Sequence, residues 1–203
     1  MNTYEAYFQT AVILAGGRSS RMGFDKQLLM KEDKRLAVWL AGKLSEDFKE
    51  VIVVTNRPDL YDGLPVRTIS DIYPGLGPMS GIHSAFCHSD SEILFVMACD
   101  MTDYNPSYAR FEAERMEADA SLACVTMHGD KLENFHGFYK RGLLSDMEAC
   151  LKEERSSIFR FLKARKISMV TQEEIPDYVD FEKLFRNLNT QDEYMRFQMG
   201  EGE

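Results

Sequence analysis

The feature that most constrains this chain of 203 residues is the stretch from Thr10 to Lys26, which reads TAVILAGGRSSRMGFDK. Its β-branched apolar start predicts a buried strand, and Gly16 and Gly17 follow directly. Glycines after a strand let the backbone turn sharply and bring its N–H groups close to a ligand. The cations further along suit a polyphosphate. The stretch therefore predicts a phosphate-binding loop; a glycine-rich turn with surface cations is the alternative.

Spacing excludes two better-known phosphate-binding loops. A P-loop follows the pattern G-x-x-x-x-G-K-S/T. Here five residues separate Gly17 from Gly23, and Lys26 lies three residues further on. The dinucleotide fingerprint G-x-G-x-x-G is also absent, because Gly16 and Gly17 are adjacent.

The stretch instead resembles L-A-G-G-x-S-x-R-M-G-x-D-K, the opening signature of the molybdenum cofactor guanylyltransferases, a family of the nucleotidyltransferase superfamily. The matching positions are Leu14 to Gly17, Ser19, Arg21 to Gly23, and Asp25 with Lys26. The resemblance implies an α/β fold, a Rossmann-like three-layer αβα sandwich with a mainly parallel sheet. It covers about residues 10 to 195 and is densest in the first hundred.

The first half of the chain alternates predicted strands and helices. Apolar runs indicate strands before Gly16, at 51–54 and at 93–98, and apolar residues at helical spacing indicate a helix over 36–48. Asn105, followed by a proline, looks like a helix N-cap. Strands that alternate with helices indicate βαβ units and a mainly parallel sheet.

The ends and the second half are less regular. Residues 1–9 are expected to be a loose lead-in. Segments at 120–127 and 135–139 are predicted strands, and Thr190 opens a capping box for a final helix. No linker, repeat or low-complexity tract divides the sequence, so we expect a single nucleotidyltransferase domain over 1–203.

Polar residues follow three of the predicted strands. In open α/β sheets, ligands bind beyond the carboxyl ends of the strands, and here those ends carry the Gly16 loop, Asn56 and Asp100. Asp100 follows an apolar strand, so its carboxylate is held at a rigid edge, where Mg²⁺ would share oxygen ligands with phosphates. The alternatives are a turn or N-cap aspartate for Asp100 and a turn residue for Asn56.

The resemblance assigns roles to these positions. The nucleotide-binding residues that it implies are Leu14, Ala15, Gly16, Gly17, Lys26, Asn56, Asp71 and Asp100. Lys26 and Arg21 would offset charge near the α-phosphate, and Asp100 would hold Mg²⁺, the implied cofactor; these three are the candidate catalytic residues. Asp71 precedes a segment that looks like the family's D-x-x-P-G-L-G-P-L-A-G-I pattern, with Met79-Ser80 in place of Leu-Ala.

The acceptor side is implied more sparsely. Glu133 to Tyr139 resembles the family's E-P-L-x-A-L-Y stretch on the pterin side, and Asn187 to Thr190 matches the closing N-x-N-T motif of the acceptor or metal region. These matches make His136, Asn187 and Asn189 candidate acceptor-binding residues. His136 qualifies only if its side chain faces the cleft, since alternation along its strand could instead turn it inward.

Composition limits the partners and the compartment. A net charge of −9 argues against nucleic acid as the main partner. No run approaches the ~18 apolar residues of a membrane span, and the first residues lack the pattern of a signal peptide. The four cysteines, widely spaced in apolar segments, predict buried free thiols in a reducing compartment, so a cytoplasmic location is expected. The four histidines have no metal-binding spacing.

The resemblance therefore predicts a Mg²⁺-dependent guanylyltransferase that attaches GMP from GTP to molybdopterin-bound molybdenum. Its partners would be GTP, the molybdenum cofactor and, as further candidates, other cofactor-assembly proteins. The nucleotide half would span about 10–105 and the acceptor half about 106–195. Two alternatives stay open: a cytidylyltransferase or other transferase of the same fold, and a GTP-binding accessory factor without turnover. Gly16 favours GTP, because cytidylyl members usually have Ala there, and intact Lys26 and Asp100 favour turnover.

Overall fold

The computed structural model of the protein describes residues 3–16, 25–64 and 66–200. Its strands are β1 (Thr10–Leu14), β2 (Met30–Lys31), β3 (Lys34–Arg35), β4 (Glu50–Val54), β5 (Arg67–Ile69), β6 (Ile93–Ala98), β7 (Ala123–His128), β8 (Lys131–Lys140) and β9 (Ser168–Val170). Its α-helices are α1 (Thr3–Tyr7), α2 (Leu36–Leu44), α3 (Pro78–His88), α4 (Pro106–Ala118), α5 (Leu144–Lys152), α6 (Ile158–Lys163), α7 (Phe181–Leu184) and α8 (Gln191–Gln198). Short 3₁₀ turns lie at Lys26–Leu28, Pro58–Tyr61, Arg141–Leu143 and Gln172–Glu174.

Seven of these strands form one sheet in the order β5-β4-β1-β6-β8-β7-β9, and β2 pairs with β3 separately. Strands β5, β4, β1 and β6 run parallel, β8 is antiparallel to both β6 and β7, and β9 is parallel to β7. Parallel neighbours joined by helical crossovers are the arrangement that alternating strands and helices predict. The predicted mainly parallel α/β fold is confirmed.

The sheet is buried on both faces. Ala11 and Ile13 of β1 pack into one apolar core with residues of α2 and α4. Val12 and Leu14 point to the other face and pack with residues of α3, α5 and α6. Because successive strand residues face opposite ways, a strand that is apolar throughout must lie between two layers of helices. This explains the continuous apolar run before Gly16.

The N-terminal lead-in is more ordered than expected. Residues 3–7 form α1, and Tyr7 is only 2% exposed. Its hydroxyl donates to Glu117 Oε2 at 2.9 Å, and its ring meets Phe138 edge-on with centroids 5.5 Å apart. The expectation of a loose lead-in is therefore wrong for this segment, because tertiary contacts hold a helix too short to show a sequence pattern.

Two predicted caps are confirmed, while several predicted boundaries shift. Asn105 Oδ1 accepts from the backbone N–H of Tyr108 at 3.0 Å, and the Thr190–Glu193 capping box opens α8. Helix α2 ends at Leu44, although Phe48 beyond it is still buried. Strand β8 is longer than the predicted 135–139 segment.

All four cysteines are free thiols, but they differ in burial. Cys99 and Cys124 are buried, Cys150 is partly buried and Cys87 is exposed. The expectation of burial is wrong for Cys87, which follows the buried Phe86 near the end of α3 and faces outward.

Within the described part of the chain, no helix is both long and apolar enough to cross a membrane.

Candidate active site

The carboxyl ends of three parallel strands are level at one edge of the sheet. Leu14 of β1 pairs with Val54 of β4 on one side and with Ala98 of β6 on the other. The register continues past the strands, because Ala15 N–H donates to Val54 O at 2.8 Å and Cys99 N–H donates to Leu14 O at 3.1 Å. The segments that follow these strands therefore leave the sheet at the same edge. They contain Gly16, Asn56 and Asp100.

Lys26, Asp100 and Asn189 meet at this edge. The Lys26 ammonium forms an ion pair with the Asp100 carboxylate and also donates to Asn189 Oδ1 at 2.8 Å. The Lys26 side chain is 24% exposed and that of Asp100 is 11% exposed, so water screens the pair only partly. A cation and a carboxylate thus lie together at the rim of a pocket.

The closing motif is held beside Asp100 by the backbone. Leu188 N–H donates to Asp100 O at 3.0 Å, and Thr102 N–H donates to Arg186 O at 3.3 Å. These bonds place the Asn189 side chain next to the Lys26 ammonium. The Asn187 side chain points elsewhere, and its Nδ2 donates to the Phe185 carbonyl at 3.0 Å. The structure therefore brings Asn189 to the lysine–aspartate pair, while the Asn187 side chain bonds to its own chain segment.

Asp71 reaches across to the Gly16 turn. Its Oδ2 lies 3.5 Å from the position that a Cβ on Gly16 would occupy, and its Oδ1 lies 3.2 Å from the Ser80 hydroxyl. Burial raises the pKa of the Asp71 carboxyl, and the Ser80 hydrogen bond opposes that rise. The 3.5 Å separation is an ordinary contact, so an alanine would fit at this position and the glycine alone does not decide between GTP and CTP.

The pocket at this edge has a volume of about 270 Å³. Its lining residues are Leu14, Ala15, Gly16, Asp25, Lys26, Gly77, Pro78, Ala98, Cys99, Asp100 and Phe135. Gly77 has a φ of 74°, which favours glycine, and it leads into Pro78 at the N-terminus of α3. The N-terminal end of this helix adds a partial positive charge to the pocket wall.

Sequence reasoning missed one residue near Asn56. Gln27 is 3% exposed, and its side chain contacts Asp25, Thr55 and Asn56. No motif singles it out, because a glutamine after a lysine has no distinctive spacing and its partners Thr55 and Asn56 lie 28 and 29 residues further along the chain.

Two of the predicted site residues, Gly17 and Arg21, lie outside the described residues. Their roles stay predictions from the sequence.

The donor set fits a magnesium ion shared with a ligand. Within residues 3–16, 25–64 and 66–200, no three His, Cys, Asp or Glu residues form a metal-binding cluster. Asp100 and Asn189 nevertheless present a carboxylate and an amide oxygen around the same Lys26 ammonium. Mg²⁺ prefers oxygen ligands and is commonly bound by one or two carboxylates together with substrate phosphates and water.

His136 does not face the cleft, so the condition for its acceptor-binding role is not met. Its side chain is fully buried, with Nδ1 2.9 Å from Glu112 Oε2 and the ring edge-on to Phe95. Phe138, two residues further along β8, contacts the same Phe95 ring, so alternation puts His136 and Phe138 on the same buried face of the sheet.

Burial sets the proton positions of this pair. It lowers the pKa of His136 to about 3 and raises the pKa of Glu112 well above its usual value. Asn105 N–H donates to His136 Nε2 at 3.4 Å, so the imidazole proton is on Nδ1. Burial therefore favours a neutral imidazole beside a carboxylic acid in the folded protein.

Single substitutions in this pair should reveal opposite pH dependences of stability. Below about pH 6.5 the unfolded chain holds a histidine proton that the folded chain lacks, and above about pH 4.5 the raised carboxyl pKa lets the folded chain keep a proton that the unfolded chain loses. The two linkages therefore oppose each other in the wild type. In Glu112→Gln only the histidine remains, and the free energy of unfolding should rise with pH by up to about 1.4 kcal/mol per unit. In His136→Gln only the raised carboxyl pKa remains, and the free energy of unfolding should fall as pH rises.

Urea unfolding across this pH range measures both slopes relative to wild type. Identical slopes in the wild type and both variants would contradict the proton assignment.

The fold and this cluster together define the class. A lysine, an aspartate and a glycine turn at the carboxyl edge of a mainly parallel sheet are the parts of a Rossmann-like nucleotidyltransferase. Residues 11–169 match the model of the MobA-like NTP transferase domain. The chain belongs to this family, and the resemblance found in the sequence is confirmed.

Relatives and solved structures agree with the family. The chain is 36% identical over 197 residues to a probable molybdenum cofactor guanylyltransferase of Peptoclostridium acidaminophilum, covering 94% of this chain and 88% of the relative. It is also 36% identical over 190 residues to a molybdenum cofactor guanylyltransferase of Syntrophotalea carbinolica, covering 94% and 90%. The crystal structure of molybdopterin-guanine dinucleotide biosynthesis protein A from Archaeoglobus fulgidus superposes with a TM-score of 0.81 at 23% identity, over 93% of this chain and 96% of that one. At that identity the superposition shows the fold alone.

Proposed function

We propose that this protein is a molybdenum cofactor guanylyltransferase, which transfers GMP from GTP to molybdopterin-bound molybdenum and releases pyrophosphate. Family membership supports this, as do the names of two relatives that match nearly the whole chain. The observation that carries the proposal is the meeting of Lys26, Asp100 and Asn189 beside the Gly16 turn. A metal-bound triphosphate needs a cation, a carboxylate and a backbone turn at one place.

The reaction would join a terminal phosphate oxygen of the pterin to the α-phosphorus of GTP. The bond from the α-phosphorus to the oxygen that bridges to the β-phosphate breaks, and pyrophosphate leaves with the electron pair. A phosphomonoester with a second pKa of about 6 is largely dianionic near pH 7, so the attacking oxygen needs no general base. Positioning and charge neutralisation would therefore supply most of the catalysis.

The described residues divide this work. Lys26 would offset charge on the phosphates near the α-phosphorus, since its ammonium already lines the pocket. Asp100 and Asn189 would hold Mg²⁺, which when bound neutralises phosphate charge. Asp71 would contact the nucleotide beside Gly16. Arg21 stays a sequence prediction for the same phosphates.

The acceptor side changes from the first expectation. Phe135 is the residue of the pterin-like segment that lines the pocket, so we place a pterin contact there instead of at the buried His136. Asn189 lies on Lys26, so we assign it to the metal and triphosphate. Asn187 stays a candidate on the acceptor side. Assembly partners and the cytoplasmic location stay predictions from the sequence.

Binding and turnover measurements test the proposal against both alternatives. Calorimetry with GTP, CTP and ATP in the presence of Mg²⁺ should show GTP binding at least about tenfold more tightly than CTP, a difference of about 1.4 kcal/mol. Pyrophosphate release should require molybdenum-loaded molybdopterin and should stop when EDTA removes the metal. A preference for CTP would indicate a cytidylyltransferase. Tight GTP binding without release on adding the acceptor would indicate an accessory factor.

A further inference from the structure

Gln27 lies in a fully bonded, buried network behind the proposed nucleotide site. Its side-chain carbonyl accepts from the Thr55 hydroxyl at 2.5 Å. Its amide nitrogen donates to Asn56 Oδ1 at 3.1 Å and more weakly to Asp25 Oδ2 at 3.4 Å. The proposed chemistry uses none of these bonds, although they lie directly behind Asn56.

Two neighbours determine the orientation of the Gln27 side-chain amide, that is, where its carbonyl oxygen and its NH₂ lie. The side chain of Asp25 is a carboxylate and offers only acceptors, so the Gln27 NH₂ must face it. The Thr55 hydroxyl already accepts from the Arg57 N–H at 2.9 Å, which leaves its proton for the Gln27 carbonyl. A flipped Gln27 amide would set its oxygen against a carboxylate, so the hydrogen-bond network itself assigns the orientation.

The orientation of Gln27 then determines that of Asn56. The Gln27 NH₂ requires an acceptor opposite it, so Asn56 Oδ1 points inward. Asn56 is exposed, and its Nδ2 makes no hydrogen bond to any described residue. The outward end of Asn56 is thus a donor of two N–H groups and not an acceptor.

We propose that Gln27 is a positioning residue that holds the Asn56 amide with its NH₂ toward the nucleotide, so that the nucleotide group bound there is a hydrogen-bond acceptor. This rests on the proposed function, because it takes the nucleotide site to include Asn56. Gln27 itself contacts no substrate. Its effect on GTP passes through the orientation of one neighbouring side chain.

A competing explanation is that Gln27 only anchors the 3₁₀ turn that carries Lys26. Its backbone N–H does donate to Asp25 Oδ1 at 3.0 Å, which caps that turn. A substitution of the side chain leaves this backbone bond in place. The two explanations predict different results in a variant that lacks the Asn56 amide. If Gln27 only anchors the turn, its substitution should still weaken GTP binding there; if it positions Asn56, it should not.

The test is a double-mutant cycle on GTP binding and turnover. Gln27→Met removes the amide at similar size and should weaken GTP binding about five- to tenfold, as expected for one lost neutral hydrogen bond. It should raise KM and leave kcat within about twofold, since the contact is the same in ground and transition states. In an Asn56→Ala background, Gln27→Met should change GTP affinity by less than about twofold. Gln172→Met, at an exposed glutamine away from the pocket, is the matched control.

Two more variants test the direction of the bond. Gln27→Glu puts an acceptor opposite Asn56 Oδ1 and should weaken GTP at least as much as Gln27→Met. Asn56→Asp replaces the outward donor with an acceptor and should bind GTP more weakly than Asn56→Ala. Thermal unfolding of each variant separates loss of fold from loss of orientation, and Gln27→Met decides the question if the buried glutamate of Gln27→Glu prevents folding.

The outcomes separate this inference from the proposed function. Additive effects of Gln27→Met and Asn56→Ala, a reduced kcat in Gln27→Met, or wild-type GTP affinity in Asn56→Asp would overturn the positioning role while GTP binding by the wild type stands. A wild-type protein that binds no GTP would overturn the proposed function, and this inference with it.

Discussion

Replacing Asp100 with alanine is expected to lower turnover at saturating GTP by at least about a hundredfold, the range seen when a preorganised electrostatic contact is removed. Asp100 follows the end of β6, and its carboxylate pairs with Lys26 at the rim of the pocket. The substitution removes the carboxylate that pairs with the Lys26 ammonium. The Asp100 side chain supports no apolar core, so the substitution should change the free energy of unfolding by only about 1 kcal/mol.

Asp103→Ala is the matched control for Asp100→Ala. Asp103 lies three residues along the chain, is partly exposed, and does not line the pocket. Pyrophosphate release and thermal unfolding, measured on both variants, give the comparison. Mg²⁺-dependent turnover of Asp100→Ala within about fivefold of wild type would correspond to a rise of only about 1 kcal/mol in the activation free energy. That result would mean that the metal is held elsewhere.

Lys26→Met should lower kcat/KM for GTP by about tenfold to a hundredfold, because a hydrogen bond to a charged group contributes about 1.5–3 kcal/mol. The methionine keeps an unbranched stem and removes only the ammonium, so the pocket should keep its shape. Both KM and kcat should worsen, since charge on the phosphates is present before and during transfer.

Lys34→Met provides the comparison for Lys26→Met, because Lys34 is an exposed lysine of β3 that does not line the pocket. Steady-state kinetics at several GTP concentrations separate the two constants. Equal kcat/KM in wild type and Lys26→Met would make Lys26 a solvated surface lysine, the alternative left open by the sequence.

The parts of the fold that the sequence predicted are those set by local patterns. Strands β1, β4 and β6 each carry a continuous apolar run because both faces of the sheet are covered, and such runs are visible without any tertiary information. The caps of α4 and α8 depend on residues three positions apart, which is also a local signal. Helix α1 depends on the contacts of Tyr7 with residues more than a hundred positions away, and no local pattern reports those.

Contacts between residues distant in sequence also explain which parts of the site could not be predicted. Alternation along β8 does not say which face of the sheet is covered, and only the contacts with Glu112 and Phe95 show that His136 faces inward. Gln27 owes its position to partners 28 and 29 residues further on. Asn189 belongs to a recognisable motif, but the motif does not indicate that its hydrogen-bond partner is Lys26. Strand ends and glycine turns could be predicted because they follow from topology, whereas side-chain partners require coordinates.

The backbone tie between Asp100 and Leu188 also has a consequence for protein synthesis. Lys26 and Asn189 are 163 positions apart, and the family match ends at residue 169, before the tied segment. Domains generally fold as units during synthesis, and contacts of long sequence separation form slowly. We therefore expect a nascent chain that stops near residue 170 to lack a working site. Only copies translated past Asn189 would bring that side chain to Lys26.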